Sequence, residues 1–576
     1  MGTRRRVALH VVILLLVLSG KARSAGAGGA VASAAPAATA AGLQVLACGG
    51  NAVDAAVATA LALAVVHPEA GNLGGGGFAL VRVGEQVAAL DFRETAPAAA
   101  RRDMFLDERG EPRPEASLVG GLAVGVPGSP AGYFELHRRF GRLPWPQVVA
   151  PAIGLAEGFT VTARLASDIE AERALLGRHA AAARVWLPGG TAPAVGATMR
   201  LPRLAAALRA YAAEGPAAFT GGAAAQAIAA AAREQGGVLS AADVEGYRPV
   251  WREPLRLQAF GWELAGMPLP SSGGIILAQT LGLLERLGWD RQAPGSTQRL
   301  HLLVESWRRA FADRFLLGDP SSTRAGAEQL LAPAWLDRRA SEIDPRQASR
   351  SAAVFPWAAD RQERLETTHL SVVDGEGNAV ALTTTLNGSF GSGVLVPELE
   401  ILLNNEMDDF ATAPGRPNLY GLVQGEANAV AAGRRMLSSM TPTLAWRGGE
   451  VLALGSPGGS RIPTSTAQVL LAVLVDRVGL DAAVERPRIH HQWLPDEMLY
   501  EPGASEAAAA LERLGHRTRM RPRLGEVHLA RRRGDGWLEA AADPRGPGAA
   551  AVLPVRPAPS AEPAQAGPAA APRRLE

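Results

Sequence analysis

One large interleaved core of helices and strands is the fold that this sequence predicts, on three observations. The composition is globular: 47% of the 576 residues are hydrophobic, 20% are charged and 65 are glycine. That excludes a disordered chain, a collagen-like repeat and a coiled coil. Helix-like and strand-like stretches follow one another along the chain without an internal repeat. No shift in composition marks an independent domain, although the length alone would allow three or four.

The chain opens on a basic stretch, Arg4 to Arg6, followed by a run from Val7 to Leu18 that is apolar except for His10. Ala22-Arg23-Ser24 then offers small residues at both specificity positions of a signal cleavage site. The run is about 12 residues, short of the roughly 20 that a spanning helix needs. Residues 1–24 therefore read as a secretory signal and not as a stable membrane span, and the protein as exported, periplasmic or secreted. Without that segment 53 basic residues face 56 acidic ones, and nothing argues for nucleic acid. Cys48, the single cysteine, excludes an internal disulfide framework and a cysteine-rich zinc site.

Gly49-Gly50 breaks a first apolar stretch, and Asn51 then stands as N-cap to fifteen mostly apolar residues ending before His67-Pro68. Apolar nearly all round and too short for a membrane, this is a helix inside a core. The glycine-rich run from Gly71 to Phe78 lacks both the Gly-Lys-Ser/Thr ending of a phosphate loop and a proper GxGxxG, so it predicts tight turns or close backbone packing. Residues 80–92 alternate like strands, 145–235 are Ala-rich at helical spacing, and a further helix is expected from His301 to Arg314. Residues 554–576 are Pro/Ala-rich and read as a disordered tail.

The most informative stretch runs from Glu366 to Asn387. Two strand-like runs flank Asp374-Gly375-Glu376-Gly377-Asn378, a composition suited to a hairpin loop. With the loop centred on Glu376, Val373 faces Ala379, Ser371 faces Ala381, His369 faces Thr383 and Thr367 faces Thr385. Opposed residues of an antiparallel pair have Cβ atoms about 4.5–5.5 Å apart, so two hydroxyls meet at one end of the sheet. Threonine is also an ordinary strand residue, and the pairing alone does not establish a site.

Several motifs resemble the small subunit of the gamma-glutamyltransferases (gamma-glutamyltranspeptidases, glutathione hydrolases). They are Thr367-Thr368-His369-x-Ser371, Asn404-Asn405-Glu406-Met407-Asp408-Asp409-Phe410, Leu437-Ser438-Ser439-Met440-Thr441-Pro442 and Gly455-Ser456-Pro457-Gly458-Gly459-Ser460-Arg461. Upstream, Gly50-Asn51-Ala52-Val53-Asp54-Ala55-Ala56, Asp91-Phe92-Arg93-Glu94, Pro270-Ser271-Ser272-Gly273-Gly274 and Ala312-Asp313-Arg314 continue the likeness in family order. It covers roughly residues 29–545. The resemblance implies an α+β fold of the N-terminal nucleophile hydrolase kind, four layers deep (αββα) and built from both subunits of a self-cleaved precursor.

It further implies a cut between Glu366 and Thr367, giving a large subunit of residues 25–366 and a small one whose folded part is 367–553. Thr367 would be the nucleophile, its freed α-amino group the base, and Thr385 the second threonine that hydrogen-bonds it. Such a base suits the task, because an unperturbed α-amino group has a pKa of about 7.7–8.0 and a threonine hydroxyl needs a neighbouring base. Gly458 and Gly459 would hold the oxyanion. Asn387, Glu406 and Asp409 match the set that binds the substrate's α-ammonium, while Arg93, Ser438 and Ser439 match the set for its α-carboxylate. Tyr420 would belong to a lid.

The substrates implied are glutathione and other gamma-glutamyl compounds, with water, amino acids or dipeptides as acceptors. No cofactor and no metal are implied, and His490-His491 read as structural. Two rivals stand: an acylase of the same fold acting on glutaryl or cephalosporin side chains, and an inactive binding relative. The first substrate lacks the α-ammonium, and the second protein would be expected to lack the nucleophile or a glycine of the oxyanion pair. A serine hydrolase fails for want of a GxSxG at a strand-to-helix junction.

Overall fold

The structure, a computed structural model, describes residues 28–354, 367–413, 418 and 422–555. The expected signal segment, Glu366, Tyr420 and nearly all of the expected tail lie outside these residues.

Asn51 caps the helix Ala52–Val66 as its side chain predicts: Oδ1 accepts from the Val53 and Asp54 amides at 2.9 and 3.0 Å, and Asp54 accepts from the Asn51 amide in return. All of this helix is buried except its last residue, which accounts for its apolar surround. It packs with Pro36–Ala47 against one face of a seven-stranded antiparallel sheet. That sheet runs Ala549–Leu553, Gly29–Ser33, Thr368–Asp374, Ala379–Thr385, Gly76–Val83, Gln86–Asp91 and Val250–Arg252. A second, six-stranded antiparallel sheet runs Leu538–Ala542, His528–Arg532, Glu450–Gly455, Thr443–Arg447, Trp262–Gly266 and Leu255–Ala259.

The two sheets face each other across small and branched side chains, among them Ala30, Leu80, Ala89, Ala381, Leu444 and Ala453. Helices Gly273–Arg286 and Ile462–Leu474 cover the outer face of the second sheet. The layers are therefore helix, sheet, sheet, helix, as the resemblance implied. Strands from both ends of the chain alternate within one sheet, so the core is interleaved and carries no domain boundary. The Ala-rich region forms the helices Trp145–Glu157, Pro202–Glu214 and Gly222–Glu234, and the helix expected from His301 begins earlier, at Thr297.

The hairpin has the register that its loop composition predicts. Val373 pairs with Ala379, Ser371 with Ala381, His369 with Thr383, and the ladder ends at Thr368 and Thr384. Asp374 holds the loop, its carboxylate accepting from the Glu376 and Asn378 amides, and it reaches the N-terminus of Ala52–Val66 through the Ala52 amide at 3.0 Å. The glycine run is a close-packed seam. A Cβ on Gly75 would lie 2.2 Å from the Thr385 carbonyl oxygen, and one on Gly77 2.2 Å from that of Thr383.

Because the buried helix depends on its cap, Asn51→Ala is expected to lower the unfolding free energy by about 1–2 kcal/mol, and Asn51→Asp by less. Chemical denaturation of the two variants beside the parent checks this.

Candidate active site

Thr367 lies one residue ahead of the strand Thr368–Asp374 and is 5% exposed. One step beyond the last ladder pair brings it to Thr385. Both threonines line a small cavity together with Arg93, Asn387, Asp409, Ser438, Ser439 and Gly459. Glu406 is not in that lining but touches it through Arg93. Gly458 faces a second cavity that also reaches Thr367, so the threonine stands between two hollows.

Local contacts explain the convergence. The Asn387 amide donates to Thr385 Oγ1 at 2.8 Å, and a hydroxyl that accepts there can still donate its own proton. Asn387 has φ 75°, a left-handed conformation that asparagine tolerates, and its side chain donates to the Asn405 carbonyl at 2.9 Å. Asn72 anchors the end of the hairpin, its Nδ2 donating to the Thr385 carbonyl at 2.8 Å while its Oδ1 accepts from the Gly75 amide. The motif Pro270-Ser271-Ser272 clamps the serine pair: the Ser438 amide donates to the Pro270 carbonyl, and both the amide and the hydroxyl of Ser272 donate to the Ser438 carbonyl. Ser439 Oγ, inside the cavity, has no hydrogen-bond partner among the described residues.

The charges are more tightly arranged than the sequence suggested. Arg93 is not a separate cationic arm. Its guanidinium is ion-paired with Glu406 at 2.6 Å and with Asp409, and lies 3.7 Å from Glu94. A guanidinium this deeply buried requires counter-ions, and here the expected ammonium set supplies two of them. Burial works against the charge on Arg93, but Glu406, Asp409 and Glu94 overcome it and hold it above its ordinary range. Burial likewise pushes Glu94 up to about 8, Glu406 well above the usual carboxylate range and Asp409 upward, against the pull of Arg93. Three carboxyls thus share one adjacent guanidinium, with Arg314 acting on Asp409 from further away. The cluster is short of positive charge.

Gly458 and Gly459 have φ 127° and 54°, conformations that L side chains rarely adopt. They lead through a short turn, Gly459–Arg461, into the helix Ile462–Leu474. Backbone amides at such a turn and helix N-terminus favour negative charge. His490 and His491 are both buried: His490 Nδ1 lies 2.8 Å from Thr464 Oγ1, and His491 Nε2 lies 3.5 Å from Asp496.

Glu94 is the residue whose importance sequence reasoning missed, although it stood beside Arg93 in a quoted motif. The signal was available, since a buried arginine next to a glutamate implies a charge cluster. A carboxyl held above its unfolded pKa keeps its proton in the folded state, so it withdraws stability as pH rises from about 4.5 towards about 8. Glu94→Gln cannot ionise. It is expected to stabilise the unliganded protein at pH 8, on the order of 1–3 kcal/mol, the cost of an unsatisfied buried polar group. At pH 5 the gain should disappear. Thermal unfolding at the two pH values measures the difference.

Comparison with known proteins bears on this geometry. The gamma-glutamyltranspeptidase family model matches residues 38–553. The chain is 42% identical to the glutathione hydrolase proenzyme of Escherichia coli K12 over 523 residues, covering 90% of each protein. It is also 42% identical to that of Pseudomonas aeruginosa, over 91% of this chain and 95% of the relative. A crystal structure of cephalosporin acylase from Bacillus halodurans superposes with a TM-score of 0.80 at 27% identity, over 93% of this chain and 97% of the other. The layered architecture is therefore that of the N-terminal nucleophile hydrolases, and the chain belongs to the gamma-glutamyltranspeptidase family.

Proposed function

We propose that this chain is an autoprocessing gamma-glutamyltransferase that opens the gamma-glutamyl amide of glutathione and related compounds. The cut falls between Glu366 and Thr367 and frees the Thr367 α-amino group. Before it, that nitrogen is an amide and cannot act as a base, so maturation and activation are one event. Thr367 Oγ attacks the gamma-carbonyl carbon while the α-amino group takes its proton and passes it to the departing amine. The Gly458 and Gly459 amides hold the oxyanion, and a gamma-glutamyl ester remains on Thr367. Water or a second amine resolves the ester. Residues 1–24 direct the precursor to an exporting compartment.

The observation that carries this reading is the charge shortage beside Thr367. Glu94, Glu406 and Asp409 crowd around Arg93, and a substrate α-ammonium supplies the missing positive charge. Ser438 and Ser439 are the donors for the α-carboxylate, with the Arg93 charge behind them, its Nη1 and Nη2 being engaged by Glu406 and Asp409. The likeness to a cephalosporin acylase favours a second reading, an acylase, but a glutaryl side chain brings no ammonium to this cluster.

Two outcomes test the proposal. A denaturing gel is expected to resolve two bands, the smaller beginning Thr-Thr-His-Leu, and Thr367→Ala to leave one uncut, inactive precursor; full activity in an uncut chain would refute it. Intact-mass analysis with a slow donor should then find one glutamyl unit on the small piece, removed by glycylglycine.

The second concerns selectivity. Asp409→Asn should weaken gamma-glutamyl compounds by on the order of 1.5–3 kcal/mol, the range for a hydrogen bond to a charged group, and glutaryl analogues far less. Equal losses in inhibition constants would mean that Asp409 supports the fold and not the ammonium.

A further inference from the structure

The outer helix layer holds a cavity of about 360 Å³ that shares no residue with either hollow at Thr367. Three helices leave the gap. Thr297–Asp313 contributes Leu300 and Leu303, Ile462–Leu474 contributes Val469 and Ala472, and Ser505–Glu512 contributes Ala507, while Trp289 completes the wall. A hollow of this size falls in the range that takes a small molecule, about 300–1,000 Å³. A wall of this composition suits an apolar one.

The charges on the lining do not balance. Arg299, Arg486 and Arg488 share it with one carboxylate, Asp476. Both oxygens of Asp476 are engaged, one by Arg299 Nη1 at 2.5 Å and the other by Arg486 Nη1 at 2.6 Å. Arg299 is engaged as well, since its Nε and Nη2 donate to the Trp289 and Asp290 carbonyls. Arg486 differs: it is exposed, and among the described residues its side chain bonds Asp476 alone, through one nitrogen. Arg488 is 1% exposed and pairs with Asp543, but its Nε is buried without a hydrogen-bond partner among the described residues. Burial outweighs Asp543 and holds this guanidinium below its ordinary range. Counting Asp543 and the Arg545–Glu501 pair that adjoins it, four guanidinium groups meet three carboxylates, and one positive charge is left over. A buried donor without an acceptor is costly unless something fills the place.

We infer that this cavity is a binding site for an apolar monocarboxylate, an aliphatic chain of about ten carbons with a free anionic end. The chain lies against Leu300, Leu303, Val469 and Ala472. The carboxylate sits at the arginine side, where Arg486 has donors that Asp476 leaves open, and it supplies the one negative charge that the network lacks. An organic cation would meet an excess of its own sign. A neutral chain of the same length would fill the wall and leave the extra guanidinium charge unmatched. The site is separate from the chemistry at Thr367 and does not depend on it.

Titration calorimetry of the purified protein with decanoate, and with decanol as its uncharged counterpart of equal chain length, tests this. One decanoate per chain is expected, bound about tenfold more tightly than decanol; a tenfold change corresponds to about 1.4 kcal/mol. Arg486→Ala should bring decanoate to the level of decanol and leave decanol unchanged, and Arg486→Lys should recover most of the loss. Ala507→Trp, which places a ring at a half-buried position of the lining, should abolish binding of both. Thermal unfolding at the parent's midpoint shows that each variant is folded. If Ala507→Trp does not fold, the variants at the exposed Arg486 decide the matter by themselves. Decanoate that does not bind, decanoate and decanol bound equally, or decanoate binding that Arg486→Ala leaves unchanged overturns the inference. So does decanoate binding undiminished in a folded Ala507→Trp.

Discussion

The burial of the strand Thr368–Asp374 in the middle of a sheet is the constraint on which the rest of the structure depends. Gly29–Ser33 pairs with one edge and Ala379–Thr385 with the other, so its position along its own axis is fixed from both sides. A slip of one residue would turn every side chain to the opposite face. His369 would leave the space between the sheets, where Thr383 and Ser371 bond its ring and Gly455 gives it room. With the register fixed, Thr367 has one possible location. It lies at the rim between the two sheets, where the second sheet delivers Gly455 and the glycine turn that follows it.

Around that point the protein separates charges that would otherwise neutralise one another. Glu94, Glu406 and Asp409 crowd Arg93 on one side of Thr367, and Glu69 pairs with Arg164 on the other. Burial pushes Glu94, Glu406, Asp409 and Glu69 upward against the pull of the neighbouring arginines. Such clusters cost stability in the unliganded protein. Neutral hydrogen bonds from Asn72, Asn404 and the Pro270-Ser271-Ser272 clamp help to keep them in place. Asn404 is representative: its Oδ1 accepts from the Gly125 and Glu406 amides, fixing the backbone that carries an acid.

The sequence made some of this readable and left the rest hidden, for physical reasons. The cap at Asn51, the loop at Asp374 to Asn378 and the register between them are local, governed by side chains within a few residues of the backbone they bond. They were legible for that reason. The individual members of the Arg93 cavity were recognised through motifs, because each sits in its own compact segment. Their mutual pairing was not legible, since Arg93 and Glu406 are far apart in the chain and no local rule predicts that a guanidinium will meet two acids. The same holds for Glu69 and Arg164. Glycines gave an intermediate signal: the run after Gly71 announced close packing, but only the fold shows that the Thr383 and Thr385 carbonyls are what it approaches.

Interleaving also dictates an order of events. Gly29–Ser33, Gly76–Val83, Gln86–Asp91 and Val250–Arg252 precede residue 366, while the two central strands of the same sheet follow it. A fragment ending at 366 would hold two blocks of strands with the middle missing, and each would expose unpaired edges prone to association. The complementary fragment would carry a hairpin with neither of its ladder partners, Gly29–Ser33 and Gly76–Val83. Neither half is a folding unit. The uncut chain would therefore serve as its own assembly template, and the proposed cut before Thr367, made after folding, would leave two polypeptides held by ladders that span both.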